Sequence, residues 1–358
     1  MDFGLSDDQQ LFAQSLRGFL SERVPMDRVR TIMESRSGHD SGLLLQLAEQ
    51  GVTGILVPEA RGGSGLGLLD AAIAAHELGR AATPFSFHSA AVMAPVLLAQ
   101  ARNEQLAAPW LERIAAGKAL VSVIHRAPAI SGGALSGTIG AAPDAASADA
   151  LLVVSGSGAG AQVVLVPRDA AGVEIAPLCT VDDTRRIDEV RFDGVRVEDS
   201  MRLDLADAAR AAARAIDAGR VVLAADALGA ADRSLELAVQ YALTREQFGR
   251  VIGSFQAVKH MCAEVFAEIE PVRSLLWYAA FAWDDGRADA STMAALVKSH
   301  GSEAATEATT TCVQVYGGMG FTYECDMHIW FKRAGYDRQM LGGPAALREQ
   351  AAAAMLGV

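Results

Sequence analysis

The stretch REQFGRVIGSFQ, residues 245 to 256, decides how the C-terminal part of the chain is interpreted. It interrupts a long helical pattern, and Arg245 and Arg250 flank its Phe-Gly pair. A break of this kind exposes backbone, and guanidinium groups make bidentate contacts with anionic oxygens, so the stretch could cradle a pyrophosphate. The alternative is a plain helix-to-helix turn with solvated charges, and this stretch alone favours that alternative.

A second motif, QVYGGMGF, stands at residues 314 to 321. Its Gln314 carries an amide, and Gly317 and Gly318 follow about one helical turn later. Because glycine has no Cβ, a flat heteroaromatic ring or a phosphate could approach the backbone closely here. The alternative is an ordinary helix end with Gly317 as its C-terminal cap.

The chain around these motifs divides into three regions by pattern, which predicts an α+β fold. Residues 1–117 have a helical period, with Phe12, Leu16 and Leu20 on one face and a second apolar stripe through Leu45 and Leu47. Residues 118–203 contain the β-branched runs LVSVI, ALLVVSG, AQVVLVP and EVRFDGVRV, which predict a small middle β-domain.

The helical period returns over residues 204–358. The predicted apolar stripe of the first long helix runs through Leu228, Leu235, Val239 and Ala242. The alanine run 205–215 is also interpreted as helix, whereas the Gly/Ala/Ser stretch 131–160 is interpreted as β-turns. GGSGLG at residues 62–67 lacks a flanking βαβ unit, so it predicts a structural turn and not a dinucleotide site.

Composition and charge exclude several classes of protein. The formal net charge of -12 opposes an extended surface for nucleic acid. Although 51% of the residues are hydrophobic, no apolar run approaches the ~18–20 residues that span a bilayer. The N-terminal stretch MDFGLSDDQQLF carries acids where a targeting peptide carries bases, so a cytoplasmic location is expected.

The reactive side chains support neither a metal centre nor a hydrolase. The seven histidines show no HxxxH or HExxH spacing, and no GxSxG elbow accompanies them. The four cysteines stand apart without CxxC spacing and are expected to be buried, reduced thiols. These are Cys179, Cys262, Cys312 and Cys325.

Taken together, the motifs RxxFG(x)5FQ and Q(V/I)xGGxGF, about 60 residues apart, resemble the C-terminal domain of acyl-CoA dehydrogenases. MDFGLSDDQQ, ILVPEARGGSGLGLLD, HELGRAATP and EVRFDGVRVEDS are similar to other segments of that family, in the same order. The resemblance covers nearly the whole chain. It implies an N-terminal helical domain (1–117), a middle β-domain (118–203) and a C-terminal four-helix bundle domain (204–358).

The resemblance also implies FAD as cofactor, shared between subunits. In the family, the β-domain of one chain holds the isoalloxazine ring, and a neighbouring chain's C-terminal domain contacts the pyrophosphate and adenine. The positions of matching type in this chain are Arg245, Phe248, Gln256, Gln314, Gly317 and Gly318.

The family's catalytic glutamate has no counterpart at either of its two positions. The family reaction needs a desolvated carboxylate to remove the α-proton of an acyl-CoA thioester while the β-hydrogen leaves as hydride. By motif, the two positions are Gly342 in QMLGGPA and Gly219 in DAGRVVLAA, where Arg220 remains beside the second. The family's flavin-ring run is also replaced, by VSVIHRAPAISGGALSG at residues 121–137.

These losses resemble the non-catalytic subunit of heteromeric α2β2 acyl-CoA dehydrogenases, which are known for bulky substrates such as steroid side chains. That interpretation implies a glutamate-bearing partner subunit, a shared FAD, an acyl-CoA substrate and an electron-transfer flavoprotein as acceptor. A self-sufficient enzyme with its base elsewhere is a second hypothesis, with Asp217, Glu324 and Asp337 as candidates. A non-enzymatic acyl-CoA or protein-binding module on the same fold is a third.

The charged residues near the two empty base positions have different interpretations. Arg220 is interpreted equally well as a substrate or CoA contact and as the partner of Asp217 or another acid. Asp217 lies about 200° around a helix from position 219, and Asp337 is expected to lie outside the pocket.

Overall fold

The computed structural model describes residues 4–35 and 37–357, so Met1 to Phe3 of the MDFGLSDDQQ motif lie outside the described residues. The chain forms two compact units. One comprises the residues up to Arg30, Leu68–Thr83 and the residues from Arg220 on; the other comprises Thr31–Gly67 and Pro84–Gly219. An N-terminal helical region, a β-region and a C-terminal helical region follow one another along the chain, as predicted, while the exact domain limits stay predictions.

Eleven α-helices span the described residues. Their bounds are α1 Asp7–Arg23, α2 Met26–Glu34, α3 Ser41–Glu49, α4 Leu68–Arg80, α5 Ala94–Leu98, α6 Glu104–Ala115, α7 Ala208–Thr244, α8 Gln256–Asp284, α9 Ala290–Tyr316, α10 Met327–Gln339 and α11 Pro344–Leu356. Short 3₁₀ turns lie at Glu59–Arg61, Gly158–Gly160, Asp199–Met201, Ile252–Ser254 and Gly317–Phe321, and a π-helical segment lies at His88–Met93.

The helical periods of the sequence are confirmed in most places. Helix α1 begins with a capping box in which Ser6 and Gln9 satisfy each other's backbone N–H, and it buries Leu16 and Leu20. Two stripe residues were predicted wrongly. Leu45 is 44% exposed and Val239 is 38% exposed, because the buried faces of their helices pass through the neighbouring residues Leu44 and Ala238 instead.

The β-region consists of two three-stranded sheets. The strands are β1 Val121–Ala127, β2 Ala134–Pro143, β3 Ala150–Ser155, β4 Gln162–Pro167, β5 Val173–Pro177 and β6 Ile187–Arg196. The first sheet has the order β1-β3-β4, with a parallel β1–β3 pair and an antiparallel β3–β4 pair; the second is antiparallel with the order β2-β6-β5. Side chains from both sheets, including Leu151 and Phe192, form one apolar core.

The four β-branched runs all form strands, as predicted. The interpretation of residues 131–160 as β-turns was wrong over much of its length, since β2 and β3 fall within it. Strand β2 has few β-branched residues, and its pairing with β6 shifts register between Leu135 and Gly137 and again between Ile139 and Ala142. Its backbone ladder, and not its side-chain type, therefore makes it a strand.

The first unit contains α1, α4, most of α7 and α8 to α11, and we call it the helical unit. Helices α4 and α7 cross closely within it. A Cβ on Gly79 would lie 2.1 Å from the Asp226 carbonyl oxygen, and one on Gly229 would lie 2.0 Å from the His76 carbonyl oxygen. Only glycine permits this approach of the two backbones. Beside the crossing, the buried guanidinium of Arg333 forms two hydrogen bonds of 2.7 Å with the Asp226 carboxylate and donates to the Thr83 carbonyl oxygen at 3.0 Å.

A polar cluster joins α1, α4, α7 and α8 in the same unit, and Arg273 of α8 enters it by bonding to Asp232 at 3.1 and 3.2 Å. His76 bridges Glu77 at 3.2 Å and Asp232 at 2.7 Å, and Arg17 forks onto Glu77 at 2.7 and 2.8 Å. Burial alone would lower the pKa of His76, but its bonds to Asp232 and Glu77 outweigh burial and raise it. Burial opposes the shift of Glu77, yet Arg17 and His76 lower its pKa to about 2.

No helix among the described residues is long and apolar enough to cross a membrane. Residues 4–35 and 37–357 contain no group of three or more His, Cys, Asp or Glu side chains arranged so that it could hold a metal ion. All four cysteines are free thiols, as predicted, but only Cys312 is buried, and burial raises its pKa to about 12. Cys179 is exposed, which corrects the expectation that all four are buried.

Candidate functional site

The REQFGRVIGSFQ stretch folds into a two-residue hairpin at one end of the helical unit. Helix α7 ends at Thr244, and β7 Glu246–Gln247 pairs antiparallel with β8 Arg250–Val251. Phe248 and Gly249 form the turn with φ of 53° and 77°. Positive φ at both central residues matches the twist of a hairpin and suits glycine at the second position. The prediction that the Phe-Gly pair breaks the helix is confirmed.

The side chains of this hairpin face outward. Phe248 is 92% exposed, and Arg245 and Gln256 are also exposed. The Arg250 guanidinium lies over the Phe255 ring, 4.0 Å from its centroid, and this ring meets that of Phe248 edge-on at 6.1 Å. Cationic and aromatic groups are thus held next to each other on an open surface, as a ligand with anionic and flat aromatic parts requires.

The QVYGGMGF motif ends helix α9. The last helical residue is Tyr316, and Gly317 caps the helix with φ 62°, so the interpretation of Gly317 as a C-terminal cap is confirmed. A Cβ placed on Gly317 or Gly318 would meet nothing within 4 Å. Gln314 is exposed on the last turn. The two interpretations of this motif are therefore compatible. The two glycines end the helix, and they also leave their peptide groups accessible to a ligand.

A shared apolar cluster holds the two motifs at the same end of the helical unit. The rings of Tyr241 and Tyr316 stack with centroids 4.2 Å apart and an angle of 11°, and the Tyr316 hydroxyl donates to the Leu237 carbonyl oxygen. Ile252 and Val258, which follow the hairpin, pack into the cluster around Cys312. We call the surface formed by Arg245, Phe248, Gln256, Gln314, Gly317 and Gly318 the hairpin face.

The hairpin face has the chemistry of a partial FAD site. It offers a guanidinium for a pyrophosphate, an aromatic ring for stacking, and amides and open backbone for a heteroaromatic edge. Five of its six residues are exposed, and Gly317 is half-buried. The residues present therefore fit one side of FAD and would leave the other side to be covered by different groups.

The second candidate region is the turn between α10 and α11, residues 340–343. Leu341 has φ 57° and Gly342 has φ 115°, so two consecutive residues lie at positive φ. A Cβ on Gly342 would lie 3.0 Å from Leu347 Cδ2, a contact that needs a small shift of that flexible side chain. Helix α11 then begins at Pro344, in its first turn, where the missing N–H costs little.

Two buried cations bond to the carbonyl oxygens of this turn. Arg220 Nε donates to the Leu341 carbonyl oxygen at 3.1 Å. Lys298 Nζ donates to the carbonyl oxygens of Arg338 at 3.4 Å and Gly342 at 3.3 Å. Lysine amines and guanidinium groups commonly satisfy the carbonyls that a helix end leaves unpaired. The hydrogen bond to Leu341 favours the structural interpretation of Arg220.

Lys298 was not found from the sequence. It is fully buried on α9, and burial lowers its pKa to about 8, assisted by Arg220 and Arg338 and opposed by the Asp337 carboxylate. A single lysine in an alanine-rich helix gives no signal of this position. Only the fold brings it to the turn, 44 residues away along the chain.

The candidate bases differ in their surroundings. Gly219 lies buried within α7 and carries no carboxylate. Glu324 is exposed to solvent, so it lacks the desolvation that a base for this reaction requires. Asp217 and Asp337 are buried, the latter beside Lys298.

Comparison with known proteins identifies both helical regions. Residues 6–118 match the family model described as acyl-CoA dehydrogenase, N-terminal domain, and residues 209–356 match the one described as acyl-CoA dehydrogenase, C-terminal domain. Acyl-CoA dehydrogenase IpdE2 of Mycolicibacterium smegmatis is 31% identical over 347 residues, which cover 97% of each chain. The IpdE2 of Mycobacterium tuberculosis is 31% identical over 94% of each chain.

Solved structures of two-component proteins have the same fold. A structure described as the Tcur3481-Tcur3483 steroid ACAD G363A variant superposes with a TM-score of 0.89 at 27% identity, covering 98% of both chains. A chain of the ChsE4-ChsE5 complex from Mycobacterium tuberculosis gives a TM-score of 0.92 over the full length of both chains at 24% identity. The latter likeness concerns the fold alone.

Proposed function

The chain belongs to the acyl-CoA dehydrogenase family, and we propose that within it the chain is a subunit that lacks its own base and completes the FAD site of a glutamate-bearing partner. The family is one of flavin-dependent oxidoreductases. The proposed complex removes hydrogens from the α and β carbons of an acyl-CoA thioester. FAD supplies the hydride acceptor of that reaction when bound.

The observation that carries the proposal is the contrast between the hairpin face and Gly342. The hairpin face keeps cationic, aromatic and amide groups on an open surface. Gly342, by contrast, offers no group that can accept a proton, and its backbone lies at a φ that few non-glycine residues adopt. A chain that contacts FAD but cannot abstract the α-proton needs a second chain for turnover.

In the proposed complex, the residues of this chain bind and orient FAD. Arg245 would hold the pyrophosphate, Phe248 and Gln314 would hold the adenine side, and Gly317 and Gly318 would let the ligand approach the backbone. The proton transfer belongs to the partner's glutamate. By analogy with the steroid ACAD of similar structure, we expect a bulky acyl-CoA as substrate, with an electron-transfer flavoprotein as electron acceptor and a cytoplasmic location.

Co-expression tests this function directly. The chain is purified alone and together with a glutamate-bearing acyl-CoA dehydrogenase, and flavin absorbance and acyl-CoA turnover are recorded for both. We expect little flavin alone, and yellow, active protein only with the partner. One FAD per chain with turnover from the chain alone would contradict the proposal.

A matched pair of arginine variants ties the result to the hairpin face. Arg245→Gln should lower the flavin content of the complex severalfold, because a guanidinium that contacts pyrophosphate is lost. Arg23→Gln, on the exposed end of α1 and paired with Glu22, should leave it unchanged. Equal flavin content in the two variants would mean that the hairpin face does not contact FAD.

A self-sufficient enzyme with Asp217 as base is the second candidate, because Asp217 is a buried carboxylate two residues before Gly219. Burial disfavours the charged form, as catalytic bases of this kind require. If this candidate is right, the chain alone turns over and Asp217→Asn abolishes turnover. If the chain is the partner of a catalytic subunit, Asp217→Asn leaves the activity of the complex in place.

A further inference from the structure

The turn between α10 and α11 has a conformation that costs free energy. Leu341 is buried at φ 57°, a region that β-carbon sterics make unfavourable for residues other than glycine. Gly342 follows at φ 115°. Backbone of this kind persists only when surrounding contacts determine it. Arg220 and Lys298 supply such contacts.

Both cations reach the turn from outside it. Arg220 lies on α7 and Lys298 on α9, and together they bond to the carbonyl oxygens of Arg338, Leu341 and Gly342. A buried ammonium is expensive unless it is paired, so its retention points to a specific task. Asp337 faces Lys298 from α10 and offsets part of that cost.

We propose that Lys298 and Arg220 are positioning residues that hold the α10–α11 turn in a conformation which only glycine at position 342 adopts without strain. Their N–H groups donate to the Leu341 and Gly342 carbonyl oxygens in the turn and to the Arg338 carbonyl oxygen in the last turn of α10. These bonds fix the peptide orientations that place Leu341 and Gly342 at positive φ. For catalysis the inference rests on the proposed function; for conformation it stands on the turn itself.

The consequence concerns the missing glutamate. A side chain at position 342 would occupy backbone strained at φ 115° and would press its Cβ against Leu347. A carboxylate introduced beside two buried cations would also be stabilised in its charged form, which lowers its pKa, whereas a base for this reaction needs a raised one. Gly342→Glu therefore does not restore a working base.

A double-mutant cycle in the full-length chain tests the coupling between Lys298 and Gly342. Gly342→Ala should lower the midpoint of thermal unfolding by roughly 2–5 °C in the wild-type background. In the Lys298→Met background the same change should cost less than half as much, since the turn is then free to relax. Gly343→Ala, at φ -74° with only the flexible Gln339 side chain 3.8 Å from the added Cβ, is the matched control; Gly343 is the N-cap of α11, so the change should have a small cost that is the same in both backgrounds.

The outcomes separate positioning from ordinary packing. Equal costs of Gly342→Ala in both backgrounds would overturn the proposal, because independent sites add. Backbone amides of residues 340–343 should exchange faster in Lys298→Met, while those of the hairpin at 246–251 keep their rate; unchanged exchange at 340–343 would also overturn it. Should Lys298→Met fail to fold, Arg220→Gln takes its place in the cycle.

Turnover is read separately from conformation. In the complex with a glutamate-bearing partner, Gly342→Glu should give no more activity than the wild-type chain, and a gain in activity would overturn the inference. The thermal cycle needs neither flavin nor partner. A chain that proves active alone would therefore contradict the proposed function while leaving the result of the cycle intact.

Discussion

The hairpin face and the α10–α11 turn use glycine in opposite ways. At the hairpin face, a Cβ on Gly249, Gly317 or Gly318 would meet nothing within 4 Å. In the turn, the carbonyl oxygen of Gly342 accepts a hydrogen bond from buried Lys298, and Leu347 packs against the place where a Cβ would stand. The first three glycines leave their backbone accessible to a ligand. Gly342 instead permits a backbone conformation that contacts inside the protein hold in place.

The difference separates two kinds of requirement that look alike in the sequence. GGMG and LGG are both short glycine runs next to a helix. In the first, the requirement comes from what approaches the backbone, so substitution should affect binding and leave stability nearly unchanged. In the second, the requirement comes from the protein's own contacts, so substitution should affect stability first.

The largest expected effect comes from a substitution in α10, the helix that precedes the α10–α11 turn. Arg333→Met removes one partner of the buried Arg333–Asp226 pair on α10 and leaves an uncompensated carboxylate. We expect a loss of about 3–5 kcal/mol in the free energy of unfolding, measured by urea denaturation. The control Arg338→Met removes a half-exposed partner of Glu303 and should cost no more than about 1 kcal/mol.

The next prediction tests whether a closely packed neighbour is enough to make a glycine irreplaceable. Gly229→Ala would place a Cβ 2.0 Å from the His76 carbonyl oxygen, so α4 and α7 must separate. Overpacking of this kind costs about 1–3 kcal/mol in the free energy of unfolding. Gly335→Ala, in α10 with nothing within 4 Å, should instead stabilise by about 0.5–1 kcal/mol. Equal effects on the thermal midpoint would contradict the distinction.

A smaller effect comes from the charge cluster around His76, because the imidazole of this largely buried residue titrates. Because the folded-state pKa of His76 is raised, its contribution is fully present below the unfolded value of about 6.5 and is lost as pH rises through the folded pKa. Urea denaturation across this window should show the wild type losing stability relative to His76→Gln. His260→Gln, at an exposed position on α8, should follow the wild type.

The smallest effect on stability belongs to the hairpin face. Phe248→Ala removes a ring that is 92% exposed, so the free energy of unfolding should change by no more than about 0.5 kcal/mol. The flavin content of the complex should nevertheless fall, because base–aromatic contact is lost. A large thermal shift for Phe248→Ala would show that this ring supports the fold and would erase the contrast with Gly342.

Much of the fold could be predicted from the sequence, because local signals agree with the tertiary result. β-branched runs form β1, β3, β4 and β6, the Phe248-Gly249 pair forms the hairpin turn that follows the end of α7, and Gly317 caps α9. Strand β2 was missed, because its glycine- and alanine-rich residues have low strand propensity and it is stabilised by pairing with β6.

The candidate site was accessible only in part. The hairpin face could be named residue by residue, since its motifs are contiguous. Lys298 could not be named, and Arg220 was named without its contact with the α10–α11 turn, because the two residues reach that turn from 44 and 121 residues away along the chain. The positive φ of Leu341 could not be predicted either, because leucine ordinarily adopts negative φ.

The two consecutive residues at positive φ in the α10–α11 turn bear on how this chain can evolve. If the turn is held as we propose, regaining a base at position 342 requires the backbone of Leu341 and Gly342 to change together with the two cations that bond to it. Single substitutions along that route each lower stability before any activity returns. Under the proposed function, this turn would therefore help to preserve the division of labour between two subunits, because its backbone opposes the return of a base at position 342.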